Sequence, residues 1–273
     1  MSHVGKNVSH VVCFVSFSYS VMCVICDTPE EQLIKLTTIN CRRCPKLTII
    51  PGTLVNLHTL YCAYCPNLTE IPFTLVNLQI LDCFECPLLN TIPSTLVKLR
   101  TLRCWLCPGL TSIPNELINL EQLYCSDCPS LTTIPHTLTN LYILHCATCR
   151  LLTTIPSSLI NLHSLYCFEC PLLTSIPSTL VNLLKLWCNS CYFLTTIPAT
   201  FIHLTELVYD CRYLYLPFKI QQRFHKVNNK VSIFASKLKR RLRRIRTKKI
   251  TKFLTQNNPM PLVLNAVVAT YLV

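Results

Sequence analysis

Residues 57–77 read LHTLYCAYCPNLTEIPFTLVN, and the next 21 residues repeat that pattern almost position for position. The dipeptide Ile-Pro marks the period, with its proline at Pro51, Pro72, Pro93, Pro114, Pro135, Pro156, Pro177 and Pro198. Leucine fills one slot without exception: Leu57, Leu78, Leu99, Leu120, Leu141, Leu162, Leu183 and Leu204. A second invariant slot lies three residues on, from Leu60 and Leu81 to Leu186 and Leu207, and an earlier copy begins at Leu36 and Ile39. Self-similarity at a fixed period of 20–50 residues is the mark of a stacked-repeat architecture.

The unit carries its own physical logic. In L-x-x-L-x-C, Leu60 and Cys62 are two residues apart and point to one face of a short strand. Pro66 cannot donate to a strand ladder and helps to end it. Pro72 fixes its own φ and biases Ile71 toward an extended conformation, turning the chain onto a return side. Leu75 and Leu78 then bring apolar side chains back inward. One coil cannot bury these leucines alone, whereas a stack buries them continuously.

These residues resemble the leucine-rich-repeat family, whose signature is L-x-x-L-x-L-x-x-N/C-x-L. Cys62 stands where the third leucine would be, Cys65 stands in the Asn/Cys slot, and Leu68 comes one residue late, as in cysteine-type variants. The I-P-x-x-L half is similar to the short bacterial class, and the whole unit resembles cysteine-rich repeat proteins of amoeba-infecting giant viruses. The resemblance covers residues 33–217. It implies an α/β solenoid with short parallel strands on an inner face, irregular or 3-10 return segments, about eight full repeats and a degenerate last one. It implies binding rather than catalysis.

Composition agrees with a packed domain: 51% of residues are apolar and 14% charged, with 3 glycines against 18 prolines. So few glycines suggest that the turns rest on one recurring proline-containing device. The net charge of +13 is unevenly placed. Residues 1–210 hold ten basic and twelve acidic side chains, whereas residues 211–273 hold fifteen basic ones and no acid. Phe224, Val227, Val231, Phe234, Leu238, Leu242 and Ile245 recur at three- and four-residue steps, which predicts an amphipathic helix. Its other face carries Lys237, Lys239, Arg240, Arg241, Arg243, Arg244, Arg246, Lys248, Lys249 and Lys252. This segment, 218–273, is expected to cap the last coil, to bind nucleic acid, or to lie on anionic membrane. Residues 1–32 contain an apolar run from Val11 to Cys26, too short for a membrane span. An N-terminal cap on the first coil is expected there, with a targeting segment as the alternative.

Twenty cysteines raise the questions of metal and redox chemistry. Eight C-x-x-C pairs, from Cys41/Cys44 to Cys188/Cys191, are separated by 17 residues, a spacing within the range of zinc sites. Both cysteines nevertheless occupy inward slots of the repeat, where a free thiol packs as a small hydrophobe. Tyr209 replaces the first of them in the last coil. The preferred reading is a ladder of buried thiols, with zinc, disulfide and redox chemistry as alternatives. On that reading no zinc is bound stoichiometrically, no cofactor is implied, and reduced thiols point to an intracellular protein. The pair Cys23/Cys26 stands 18 rather than 21 residues before Cys41/Cys44, outside this register.

The slots flanking the inward cysteine face away from the core. They contain Tyr61, Asp82, Phe84, Arg103, Trp105, Tyr124, His145, Tyr166, Phe168 and Trp187, with Glu85 beside them and Glu169 at the equivalent place. Aromatic side chains interleaved with charges are the composition of a protein-binding patch, although aromatics also favour strands for packing reasons. Another protein is therefore the expected partner of the inner sheet. No Gly-rich phosphate loop and no H-E-x-x-H occur, and the histidines are scattered over variable slots, so no enzyme is expected.

Overall fold

The computed structural model describes residues 23–209, the strand at residues 10–11, and positions 216, 217 and 220. Two short helices, α1 (Val24–Asp27) and α2 (Glu30–Leu33), precede the first coil. One parallel sheet then runs through the repeats in sequence order. Its strands are β1 (His10–Val11), β2 (Thr38–Asn40), β3 (Thr59–Tyr61), β4 (Ile80–Asp82), β5 (Thr101–Arg103), β6 (Gln122–Tyr124), β7 (Ile143–His145), β8 (Ser164–Tyr166), β9 (Lys185–Trp187) and β10 (Glu206–Val208). From β2 onward every strand pairs with residues 21 positions away, as Thr59 with Ile80 and Tyr61 with Asp82. The β1 strand joins the sheet out of that period, pairing His10 with Thr38. The N-terminal region thus supplies a strand to the sheet.

The return side of each coil is a succession of turns, and among the described residues it carries no helix. In the 57–78 coil the N–H of Leu68 bonds to the Cys65 carbonyl at 3.3 Å, Leu75 to Pro72 at 3.3 Å, and Leu78 to Leu75 at 3.0 Å. These i→i+3 bonds explain why leucine recurs at three-residue steps: each turn brings the next corner side chain inward. Proline opens one turn and allows no continuous helix beyond it, so the helical half of an α/β solenoid is replaced by turns here.

Leu60, Cys62, Cys65, Leu68, Leu75 and Leu78 are all 0% exposed, and the same slots are buried in the coils that follow except at Tyr209, which is half-buried. Phe201 takes the Leu75 slot in the last full coil and is equally buried. Polar side chains tie the coil edges. Asn77 Nδ2 donates to the Val55 carbonyl at 2.9 Å, and Asn119, Asn140, Asn161 and Asn182 repeat that bond one coil on. Lys98 interrupts the row and bonds Asn77 Oδ1 instead.

The cysteines form a second row inside. Cys86 Sγ donates to the Cys62 carbonyl at 3.2 Å, and Cys107, Cys128, Cys149, Cys170 and Cys191 each reach the first cysteine of the preceding coil in the same way. Burial pushes the Cys86 and Cys128 thiols up to about 12, so they are protonated donors at neutral pH. Each of these turns also holds its third residue at positive φ, including Arg43, Tyr64, Glu85 and Ser190 at 53–60°. The turn after the strand therefore depends on a left-handed residue between two cysteines, in addition to the proline that follows.

Candidate functional site

The pairing register decides how the expected site residues meet. Tyr61, Asp82, Arg103, Tyr124, His145, Tyr166 and Trp187 are the last residues of β3 to β9 and are successive partners across the sheet. Phe84, Glu85, Trp105 and Phe168 lie in the turns that follow. Parallel strands stand about 4.8 Å apart, close to the separation at which rings stack. Repetition at 21 residues therefore turns a scatter of aromatic residues into a row.

That row is continuous. Tyr64 meets Phe84 edge-on at 4.7 Å, and Phe84 stacks on Trp105 at 4.0 Å and 15°. Trp105 meets Tyr124 at 6.2 Å, Tyr124 meets His145 at 4.7 Å, and His145 stacks on Tyr166 at 3.9 Å. Tyr166 and Phe168 both approach Trp187, at 5.2 and 6.5 Å. These rings are half-buried by one another. The small residues Ser126 and Ala147 in the intervening turns leave room for the row to pass from the turns to the strand ends. Guanidinium groups cover its N-terminal part: Arg42 lies 4.5 Å over Tyr61, Arg43 5.1 Å over Tyr64, and Arg103 5.5 Å over Tyr124.

Charge on the face is largely paired. Arg100 bonds Glu121 at 2.7 Å, Lys185 lies 3.3 Å from Glu206, and Trp187 Nε1 donates to Glu206 Oε1 at 2.7 Å. Asp82 departs from the expectation of an outward contact. It is 1% exposed, bonded to Arg42 and 3.9 Å from Arg103, so its carboxylate is engaged inside the protein. Glu85 is half-buried, and burial raises its carboxyl above the usual range. His145 is held neutral, its imidazole pulled down to about 4 by burial.

Tyr64, Arg42 and Arg43 belong to this surface beyond the residues expected: Tyr64 fills the turn slot that Glu85 fills one coil on, and Arg42 and Arg43 lie in the turn of the first coil. Tyr142 and His163, 4.4 Å apart, add a ring pair just before strands β7 and β8, away from the cysteine-flanking slots. A second exposed stripe runs along the return side. Val55, Val76, Val97, Ile118, Ile160, Val181 and Ile202 occupy one repeat slot and are 41–59% exposed. The basic residues between Lys237 and Lys252, and the helix expected to carry them, lie outside the described residues. Among the described residues, one group has the spacing of metal ligands: Cys23, Cys26 and Cys44, at the N-terminal end and off the aromatic row. No described helix is long and apolar enough to cross a membrane.

A family model described as Leucine Rich Repeat matches residues 119–141, one coil of this stack. The leucine-rich-repeat domain of the type III effector XopL superposes with a TM-score of 0.53 at 24% identity, covering 66% of this chain and 71% of that one. The fold is the leucine-rich repeat. A functional domain of InlJ from Listeria monocytogenes, described as including a cysteine ladder, aligns at 20% identity and a TM-score of 0.47. That alignment covers 71% of this chain and 58% of the InlJ domain. A leucine-rich-repeat protein of Leptospira interrogans aligns at 23% identity and a TM-score of 0.42, over 71% and 66% of the two chains. No curated protein sequence matches the chain.

Proposed function

We propose that this leucine-rich-repeat protein is a non-enzymatic interaction scaffold that receives another protein on the aromatic row of its sheet. The observation that carries the reading is the unbroken run of rings from Tyr64 to Trp187, half-exposed and edged by paired charges. Large flat side chains already fixed by stacking lose little conformational entropy on contact, which is what an anchor residue requires. Paired charges at the margin supply a polar rim.

The experiment is affinity capture with the full chain followed by a binding titration of the recovered partner against Phe84→Ala/Trp105→Ala. Binding is expected to weaken by at least about tenfold, the loss of one anchor, with the fold retained by circular dichroism. The same titration with Val97→Asp/Ile118→Asp tests the return-side stripe. Loss there with full binding by the ring variant would overturn the reading.

A further inference from the structure

The ladder cysteines are accounted for by packing and by their hydrogen bonds, but the cysteines at the N-terminal end are placed differently. Cys23 caps α1 and Cys26 lies within its single turn, which the Asp27 N–H closes on the Cys23 carbonyl at 2.9 Å. Cys41 and Cys44 flank the first left-handed turn, with Arg43 at φ 60°. Two C-x-x-C turns from separate segments thus face each other. In later coils the second cysteine reaches a carbonyl of the coil before it. Cys44 instead has the Cys26 sulfur at 3.7 Å.

The sulfurs of Cys23, Cys26 and Cys44 all lie within 4.8 Å of one another. Thiolates bound to zinc at about 2.3 Å in a tetrahedron stand about 3.8 Å apart along each edge. The 3.7 Å contact matches that edge and is far from the roughly 2.05 Å of a disulfide. Cys41 shares the buried turn of Cys44 but stands outside that group, its Sγ donating to the Tyr61 carbonyl at 3.5 Å. Cys26 is exposed and leaves a path for an ion to enter, while Cys23, Cys41 and Cys44 are 1–2% exposed.

We propose that Cys23, Cys26 and Cys44 bind one structural zinc ion that fastens the N-terminal segment to the first coil, with Cys41 turning from the Tyr61 carbonyl to complete the set. Zinc fits because it is thiophilic, takes four sulfur ligands and brings no redox chemistry. Binding displaces the thiol protons and couples metal affinity to closure of the cap. The inference is independent of the aromatic row. It revises the expectation of a chain without stoichiometric zinc: the repeat cysteines remain a thiol ladder, and the single ion belongs to the cap.

The test is metal analysis and cobalt(II) titration of the full chain, purified reduced and stripped of metal. One ion per chain is expected, with the visible absorption of tetrahedral cobalt, four-thiolate charge-transfer intensity, and displacement by zinc. Cys26→Ser changes an exposed position and should fold, yet bind the ion about 100-fold more weakly, as removal of a ligand should cost at least what loss of an outer partner does. The ladder variant Cys104→Ala should still bind one. Absence of a cobalt spectrum, or unchanged affinity in Cys26→Ser, overturns the site. About four ions per chain would place the metal in the ladder and also overturn it, and a three-thiolate spectrum overturns the role of Cys41.

Discussion

The imidazole of His145 lies flat against the Tyr166 ring, with centroids 3.9 Å apart and planes 21° from parallel. Tyr124 approaches its other side at 4.7 Å, and burial between them pulls the imidazole down to about 4. The unfolded chain takes up a proton on this residue near pH 6.5, whereas the folded chain resists until about pH 4. A depressed folded value means stability that is full above pH 6.5 and is lost as pH falls toward 4. The loss is on the order of 2 kcal/mol. His145→Phe keeps the stack without the titration. Denaturant midpoints measured from pH 7.5 to 4 should fall more steeply for the wild type than for the variant; parallel curves would refute the assignment.

The thiol ladder makes a prediction that packing alone does not. Cys104 and Cys128 are both 0% exposed and lose the same volume on substitution by alanine. Cys128 Sγ, however, donates to the Cys104 carbonyl at 3.2 Å. Cys128→Ala therefore leaves a buried carbonyl without that donor, and should cost about 1 kcal/mol more than Cys104→Ala. Urea unfolding of the two variants compares them directly. Equal losses would mean that the second cysteine serves only to fill space.

Ser190 occupies the left-handed turn of its coil at φ 58°. A side chain there costs roughly 1–2 kcal/mol, which glycine avoids at an unfolded-state entropy cost of about 0.5–1 kcal/mol. Ser190→Gly is expected to stabilise the protein by about 0.5–1 kcal/mol, read as a raised melting temperature. Ser190→Val, branched next to the backbone, should lower it. A glycine variant that melts below the wild type would show that the turn is not strained.

Much of this is legible in the repeat itself. The interval between Pro51 and Pro72 fixed the pairing of Thr59 with Ile80, because in a solenoid the repeat length is the register. The inward slots of Leu60 and Cys62 followed from alternation along the strand. What periodicity could not supply was anything that breaks it. The β1 strand and the opposed pairs Cys23/Cys26 and Cys41/Cys44 depend on where a non-repeating segment folds back. The left-handed turns leave no mark in the sequence because glycine, their usual signal, is absent from them. The aromatic face was legible as a list of residues, but its continuity depends on ring orientations. The burial of Asp82 depends on Arg42, whose long side chain crosses the one intervening coil to reach it.

That crossing yields the final prediction. Asp82 is 1% exposed and is held by Arg42, with Arg103 at 3.9 Å. Burial raises its carboxyl above the usual range, and the Arg42 hydrogen bond and charge oppose that rise. A raised folded value favours the protein below the ordinary carboxylate range and withdraws that stability as pH rises through the folded value. Oδ1 of Asp82 and Nε of Arg42 have no hydrogen-bond partner, so the pair is only partly compensated. Arg42→Ala removes the main compensating group and strands a buried charge, at a cost of about 2–3 kcal/mol at pH 7. The penalty should shrink at pH 4, where the stranded carboxyl takes up a proton. Adding Asp82→Asn to the same variant should recover most of the loss at pH 7, because a neutral amide needs no counter-charge. Guanidinium unfolding at both pH values checks all three outcomes. A penalty independent of pH, or no recovery in the double variant, would mean that Arg42 acts through its packing over Tyr61 and not through Asp82.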